Sequence, residues 1–133
     1  MIYVSGIHAL NLNCKLNTTG DWHQSALKWK DITFLDSETS PFGEYGIEDG
    51  HEIPKQTGKF YAANHIRACL DLILLGHFNV AQGMRDNFIC NEAYTEEIFN
   101  RVAMLKGTPN WNEIKKFMHK EYGSTWRNWI GTH

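Results

Sequence analysis

Residues 62–76 read Ala62-Ala63-Asn64-His65-Ile66-Arg67-Ala68-Cys69-Leu70-Asp71-Leu72-Ile73-Leu74-Leu75-Gly76. The spacing predicts a helix over Ala62 to Leu75, closed by Gly76 just past its end. Ile66, Cys69, Leu70 and Ile73 make one apolar stripe, and Leu72, Leu74 and Leu75 extend it almost all round. A helix apolar on nearly every side is a central, buried one. Its only polar stripe is Asn64, Arg67 and Asp71, at steps of three and four, with Arg67 and Asp71 spaced as an ion pair.

Downstream of this segment the texture stays helical. Asn79 to Gln82 fits an N-cap with a partner three residues on, opening a helix from Val80 to about Phe88 that Gly83 weakens. Thr95 to Lys106 is the next helix, with Ile98, Phe99, Val102 and Leu105 on one face and Gly107 beyond its end. Thr108-Pro109 supplies an N-cap and a first-turn proline for a helix running to about Tyr122 and stopping at Gly123. Trp126 and Trp129 sit in a terminal turn expected to dock on the bundle.

Upstream the pattern differs. Residues 2–12 begin with β-branched and aromatic residues and read as a strand, with a bulge or close approach at Gly6. Thr18-Thr19-Gly20-Asp21 is a turn by composition. Residues 22–35 read as strands, or as a short helix and a strand ending at Leu35, and 36–59 are loop-rich with a short strand near Tyr45 to Ile53. The expected fold class is α+β: a small antiparallel sheet in the N-terminal half and a packed group of four to five helices in the C-terminal half. At 133 residues one domain, 1–133, is expected, strand- and loop-rich over 1–59 and helical over 60–133.

Composition excludes several classes. A net charge of −2 gives no global nucleic-acid footprint. No apolar run approaches a membrane span, since the longest contains Asp71. Three cysteines without a paired spacing point to a reduced, cytoplasmic setting. Charge is unevenly placed. Asp31, Asp36, Glu38, Glu44, Glu48, Asp49 and Glu52 fall in one stretch without a single Lys or Arg, whereas residues 101–133 are basic. Asp36, Glu38, Glu44, Glu48 and Asp49 are therefore the candidate contacts for a basic macromolecular partner.

The chemistry concentrates in the first thirty residues. In an extended segment Asp21 and His23 share a side, with Trp22 behind them. A carboxylate beside an imidazole fixes its tautomer and raises its basicity. His8 leaves the first strand and is expected to meet them across the sheet. The catalytic candidates are thus His8, Asp21 and His23. Asn64, Arg67 and Trp22 are the candidate substrate contacts, Arg67 on a phosphate or carboxylate. The competing reading makes Asp21 a helix cap and His23 a turn partner. No Gly-x-Ser-x-Gly elbow is present. No metal site is expected, because His8, Cys14, Asp21 and His23 lack any recognised ligand spacing, and the sequence leaves the cofactor open. The reactivity of Cys14 depends on neighbours that the sequence does not place.

Ile-His-Ala-Leu-Asn-Leu with Thr-Gly-Asp-Trp-His, Phe-Gly-Glu-Tyr-Gly-Ile-Glu, Ala-Asn-His-Ile-Arg-Ala and Ala-Gln-Gly-Met-Arg-Asp-Asn-Phe resemble a group of small bacterial proteins associated with mobile elements and toxin–antitoxin-like loci. The resemblance implies a cytosolic bacterial or phage setting and a protein partner. A second likeness is to compact ADP-ribosyltransferase toxins, through the opening strand and Ser37-Glu38-Thr39-Ser40. Their paired-glutamate signature is absent, since Glu44 and Glu48 have another spacing.

Two functions follow as expectations. The first is a binding protein of a toxin–antitoxin or defence locus. The second is a toxin-like transferase or hydrolase acting on a nucleotide, NAD or nucleic acid. The enzyme requires His8, Asp21, His23 and Arg67 to converge in one open cleft; the binder leaves them internally hydrogen-bonded.

Overall fold

The computed structural model describes residues 1–133. Its architecture is α+β, with a four-stranded sheet in the N-terminal half and helices in the C-terminal half. The strands are β1 (Ile2–Val4), β2 (Phe34–Asp36), β3 (Ile47–His51) and β4 (Phe60–Ala63), in the order β2-β1-β4-β3. The sheet is mixed rather than purely antiparallel. β1 runs parallel to β4, with Tyr3 opposite Tyr61 and Val4 opposite Ala62, while both outer pairings are antiparallel. Residues 60–63, expected to lead into the helix, form this fourth strand instead.

The expected long first strand ends at Val4. Gly6 adopts φ +61 and turns the chain straight into helix α1 (Gly6–Leu10), which buries Ala9 and Leu10. A left-handed residue at that junction suits glycine. His8 consequently projects from a helix, not from a strand.

Helix α2 (His65–Leu74) is the central element, starting three residues later than its apolar pattern suggests. Asn64 sets that start: its side chain accepts a hydrogen bond from the Arg67 amide at 2.8 Å. At the other end Gly76, at φ +77, lets its own amide donate to Ile73 and the His77 amide donate to Leu72, which satisfies two terminal carbonyls. Asn64 is therefore a helix cap, 8% exposed, and not a substrate contact. Asn64→Ala is expected to cost about 1 kcal/mol in a denaturant titration.

Every residue from His65 to Ile73 is buried, the polar stripe included. Arg67 and Asp71 pair at 3.0 Å with 0% and 2% of their side chains exposed. The remaining Arg67 donors reach the carbonyls of Gly43 at 2.7 Å and Tyr45 at 2.5 Å, the Tyr3 hydroxyl at 2.9 Å and Ser40 Oγ at 3.2 Å. Asp71 also accepts from the Tyr3 hydroxyl at 2.7 Å and from Ser5 at 2.6 Å. The Phe42–Gly46 turn, which composition suggests is a solvated hairpin tip, is thereby tied down over the guanidinium. At Gly46, φ +71, a Cβ would stand 2.7 Å from that of Arg67, so only glycine allows the approach.

The helical half continues with α3 (Phe78–Ala81), a π-helical turn over Met84–Ile89, α4 (Thr95–Ala103), α5 (Trp111–Tyr122) and α6 (Ser124–Ile130). The single helix expected over 80–88 is broken because Gly83 takes φ +88. Trp126 is 1% exposed, meets Phe99 edge to face and stacks on Trp129, so the terminal turn docks as expected. One cluster of 29 buried apolar residues runs from Tyr3 to Trp126 and joins both halves. No helix is long and apolar enough to cross a membrane.

Candidate functional site

The loop 20–24 is built on Asn11, the residue that ends α1. Its side-chain amide donates to the Ile7 carbonyl at 2.8 Å and to Asp21 Oδ2 at 3.0 Å, and its side-chain oxygen accepts from the His23 amide at 2.6 Å. The Gln24 side chain donates back to the Asn11 carbonyl at 2.9 Å. Two backbone bonds, Asp21 to Leu10 and Gly20 to Phe88, fix the start of the loop, each at 2.9 Å. Nothing in the sequence singles out Asn11 as this organiser, because its partners in the loop lie ten and more residues away.

Held in that frame, Trp22 adopts φ +64 and is 76% exposed. A bulky L-residue in the left-handed region is a genuine outlier, at a cost of about 1–2 kcal/mol. Of the five tryptophans, this one alone is among the exposed large hydrophobic residues. Beside it lies an open cleft of about 450 Å³, walled by Asn11, Asn13, Thr19, Gln24 and Ser25 together with Trp22. A second hollow of about 420 Å³ shares Leu12, Asn13 and Gln24 with the first and extends it to His51, Glu52 and Pro54. The groove thus runs from an aromatic ring to the end of the acidic segment. Asn11→Ala is expected to cost about 1–3 kcal/mol and to free the loop, seen as faster amide exchange at His23.

The catalytic candidates are only partly brought together. His23 Nδ1 lies 3.2 Å from Asp21 Oδ1, the His23 side chain being 71% and the Asp21 side chain 16% exposed. His8 faces elsewhere: its Nε2 bonds the Lys28 carbonyl at 3.2 Å, its ring edge meets Trp29, and it borders a different hollow beside Ser5 and Asp71. Arg67 is wholly enclosed with its donors used internally, so it offers nothing to a phosphate. These four residues do not share one cleft. His8 and Arg67 are corrected accordingly: the first because α1 replaces the strand that was to carry it, the second because the helix edge is core.

The acidic candidates also divide. Glu38, Glu44 and Asp49 are exposed, and Asp36 is half-buried, accepting from the Met1 amino group at 3.3 Å and from the Glu38 amide. Those contacts hold the Asp36 carboxyl below its ordinary range, the Glu38 amide bond being the larger cause. Glu48 is buried and no free contact. It accepts from the Lys15 amide at 2.9 Å and pairs with His51 at 2.8 Å.

A further cluster, which spacing gave no reason to connect, joins three distant residues. Cys14 Sγ lies 3.4 Å from Thr18 Oγ1, Thr18 Oγ1 lies 2.6 Å from His65 Nδ1, and His65 Nε2 lies 2.6 Å from the Leu12 carbonyl. No group of three or more His, Cys, Asp or Glu side chains is arranged to hold a metal ion. Comparison with protein families, with curated proteins and with solved structures finds no match to this chain.

Proposed function

We propose that the chain is a binding protein that engages a macromolecular partner through the groove running from Trp22 to Glu52. The single observation that supports this most is Trp22 itself. A strained backbone that holds an aromatic side chain out in water lowers folding stability and returns nothing inside the chain. Tryptophan is among the side chains enriched as interface anchors, and a loop whose backbone is already fixed loses little entropy on binding. The polar walls of the cleft supply hydrogen-bonding groups around that anchor. Glu52, exposed at the end of the groove and met only by an equally open Lys59 at 3.2 Å, favours a partner that is basic around that contact.

The setting proposed is a bacterial or phage toxin–antitoxin or defence locus, resting on the resemblance of the Gly-Asp-Trp-His and Ala-Asn-His-Ile-Arg segments. It is a cytoplasmic setting, in keeping with three cysteines that form no disulfide with one another.

A second reading is favoured by the Asp21–His23 pair, an exposed imidazole oriented by a carboxylate, as a general base requires. It makes the chain a toxin-like hydrolase or transferase on a nucleotide, NAD or nucleic acid. One experiment separates the two. The tagged chain is used as bait in a bacterial lysate beside Trp22→Gly, and the chain is expressed alone beside His23→Ala. A captured protein that still binds when purified, and is lost with Trp22→Gly, supports binding. Growth arrest abolished by His23→Ala without loss of folding overturns it in favour of catalysis.

A further inference from the structure

We propose that Cys14, Thr18 and His65 form a proton relay that makes Cys14 a reactive thiol, a site of mixed-disulfide formation with small disulfides. The Leu12 carbonyl can only accept, so His65 Nε2 carries a hydrogen and donates it there. In the neutral ring Nδ1 is then the acceptor. It takes the Thr18 hydroxyl hydrogen, and the freed hydroxyl lone pair takes the Cys14 S–H. Shifting both hydrogens one place gives a thiolate accepting from Thr18 and an imidazolium donating to it. The same two contacts, 3.4 Å and 2.6 Å, serve both states, so ionisation needs no rearrangement.

The ring is placed rigidly. His65 is 2% exposed and sits in the first turn of α2. It lies against Gly20, where φ is +73 and a Cβ would come within 2.9 Å of the imidazole. Burial raises the Cys14 thiol, but the neighbouring His65 and the hydrogen bond to Thr18 outweigh it and leave the group lowered to about 7. Burial likewise pulls His65 down, and the nearby Cys14, the bond to the Leu12 carbonyl and the Glu48 charge leave it raised. The titratable groups around the relay are His65 from α2 and Glu48 from β3, with His51 paired to Glu48.

The other cysteines provide an internal contrast. Cys69 is fully buried, and burial raises its thiol far out of reach. Cys90 is exposed, and its S–H donates to the Asp86 carbonyl at 2.9 Å. Cys14 is half-exposed and is the cysteine whose hydrogen-bond chain leads to an imidazole.

A thiol that ionises near ambient pH is the best attacker in disulfide exchange. The Cys14 thiolate attacks one sulfur of a low-molecular-weight disulfide. A protein–ligand S–S bond forms, the ligand S–S bond breaks, and the departing thiolate takes the proton held on His65. Cys14 is oxidised and half of the disulfide is reduced, giving one mixed disulfide and one free thiol.

The test uses the full chain with oxidised glutathione across pH 5–10, mapping adducts by mass spectrometry. Expected are a Cys14 adduct formed faster than any at Cys90, and a rate that rises through about pH 7. Thiolate is present above that value and lost below it. Thr18→Val is expected to move the inflection toward the ordinary thiol range near ~8.5 and to slow the reaction at pH 7 by about three- to fivefold. That figure sets the lost thiolate fraction against the greater nucleophilicity of a more basic thiol. Thr18→Ser is expected to keep the wild-type profile. Cys90 reacting as fast as Cys14 would overturn the proposal. So would a Thr18→Val profile that coincides with wild type; should that variant not fold, an altered Thr18→Ser profile decides against the relay.

Discussion

Replacing Arg67 with methionine is expected to destabilise the fold by about 3–5 kcal/mol, the cost of leaving a buried partner charge unpaired. The expectation follows from how completely the guanidinium is enclosed. Its Nε holds Asp71, one terminal nitrogen holds the Gly43 and Tyr45 carbonyls, and the other holds Tyr3 and Ser40. Its flat face lies over the rings of Tyr3 and Phe42 at 5.0 Å and 5.5 Å. Methionine fills much of the volume but donates nothing. Asp71 then keeps two hydroxyl donors and loses its charge partner, and two carbonyls of the covering turn go unpaired. Melting is expected to fall by roughly 10–20 °C for a domain of this size. Removing the carboxylate as well, in Arg67→Met with Asp71→Leu, is expected to cost less than the two changes summed, because no buried charge is then stranded. Thermal and denaturant unfolding of the three variants checks both statements.

The second large effect is expected at Trp22, and its sign differs between stability and binding. Trp22→Gly removes a side chain that packs on little and places glycine where φ is +64. Relief of left-handed strain, about 1–2 kcal/mol, is partly offset by the greater freedom of glycine in the unfolded chain. The variant is therefore expected to be as stable as wild type or up to about 1 kcal/mol more so. Partner affinity is expected to fall by about 2–4 kcal/mol, roughly 30- to 1,000-fold. A residue whose removal helps folding and harms binding is one retained for its contact, the stability–function trade-off seen at working sites.

The central helix was legible because its signals are local. The apolar pattern and Gly76 lie within one segment and the Arg67–Asp71 spacing announces the ion pair, whereas the capping role of Asn64 moves the start from Ala62 to His65. What the segment could not announce is the direction of that pair. A polar stripe on an apolar helix reads as a solvent edge, and only the turn at 40–46 and Tyr3, far away in sequence, turn it into core. The α+β division was legible from texture, whereas the parallel pairing of β1 with β4 was not. The connection between them is long and carries the other two strands.

The opening segment shows the same limit. Asp21 and His23 do meet, as two residues apart can, but by a turn on Asn11 rather than along a strand. His8 was drawn away because Gly6 ends β1 early. Trp22 read as the buried residue behind the pair; its backbone conformation reverses that and sends the ring into water. The relay of Cys14, Thr18 and His65 joins a loop to the first turn of α2, and no short motif encodes such a join.

The most direct measurement is a calorimetric titration of the purified partner with wild-type chain and with Trp22→Gly, each first shown to melt cooperatively. The result expected is a variant at least as stable as wild type whose affinity is weaker by about 30-fold or more. A stable Trp22→Gly chain that binds the partner as tightly as wild type would contradict the assignment of the Trp22 groove as the binding surface.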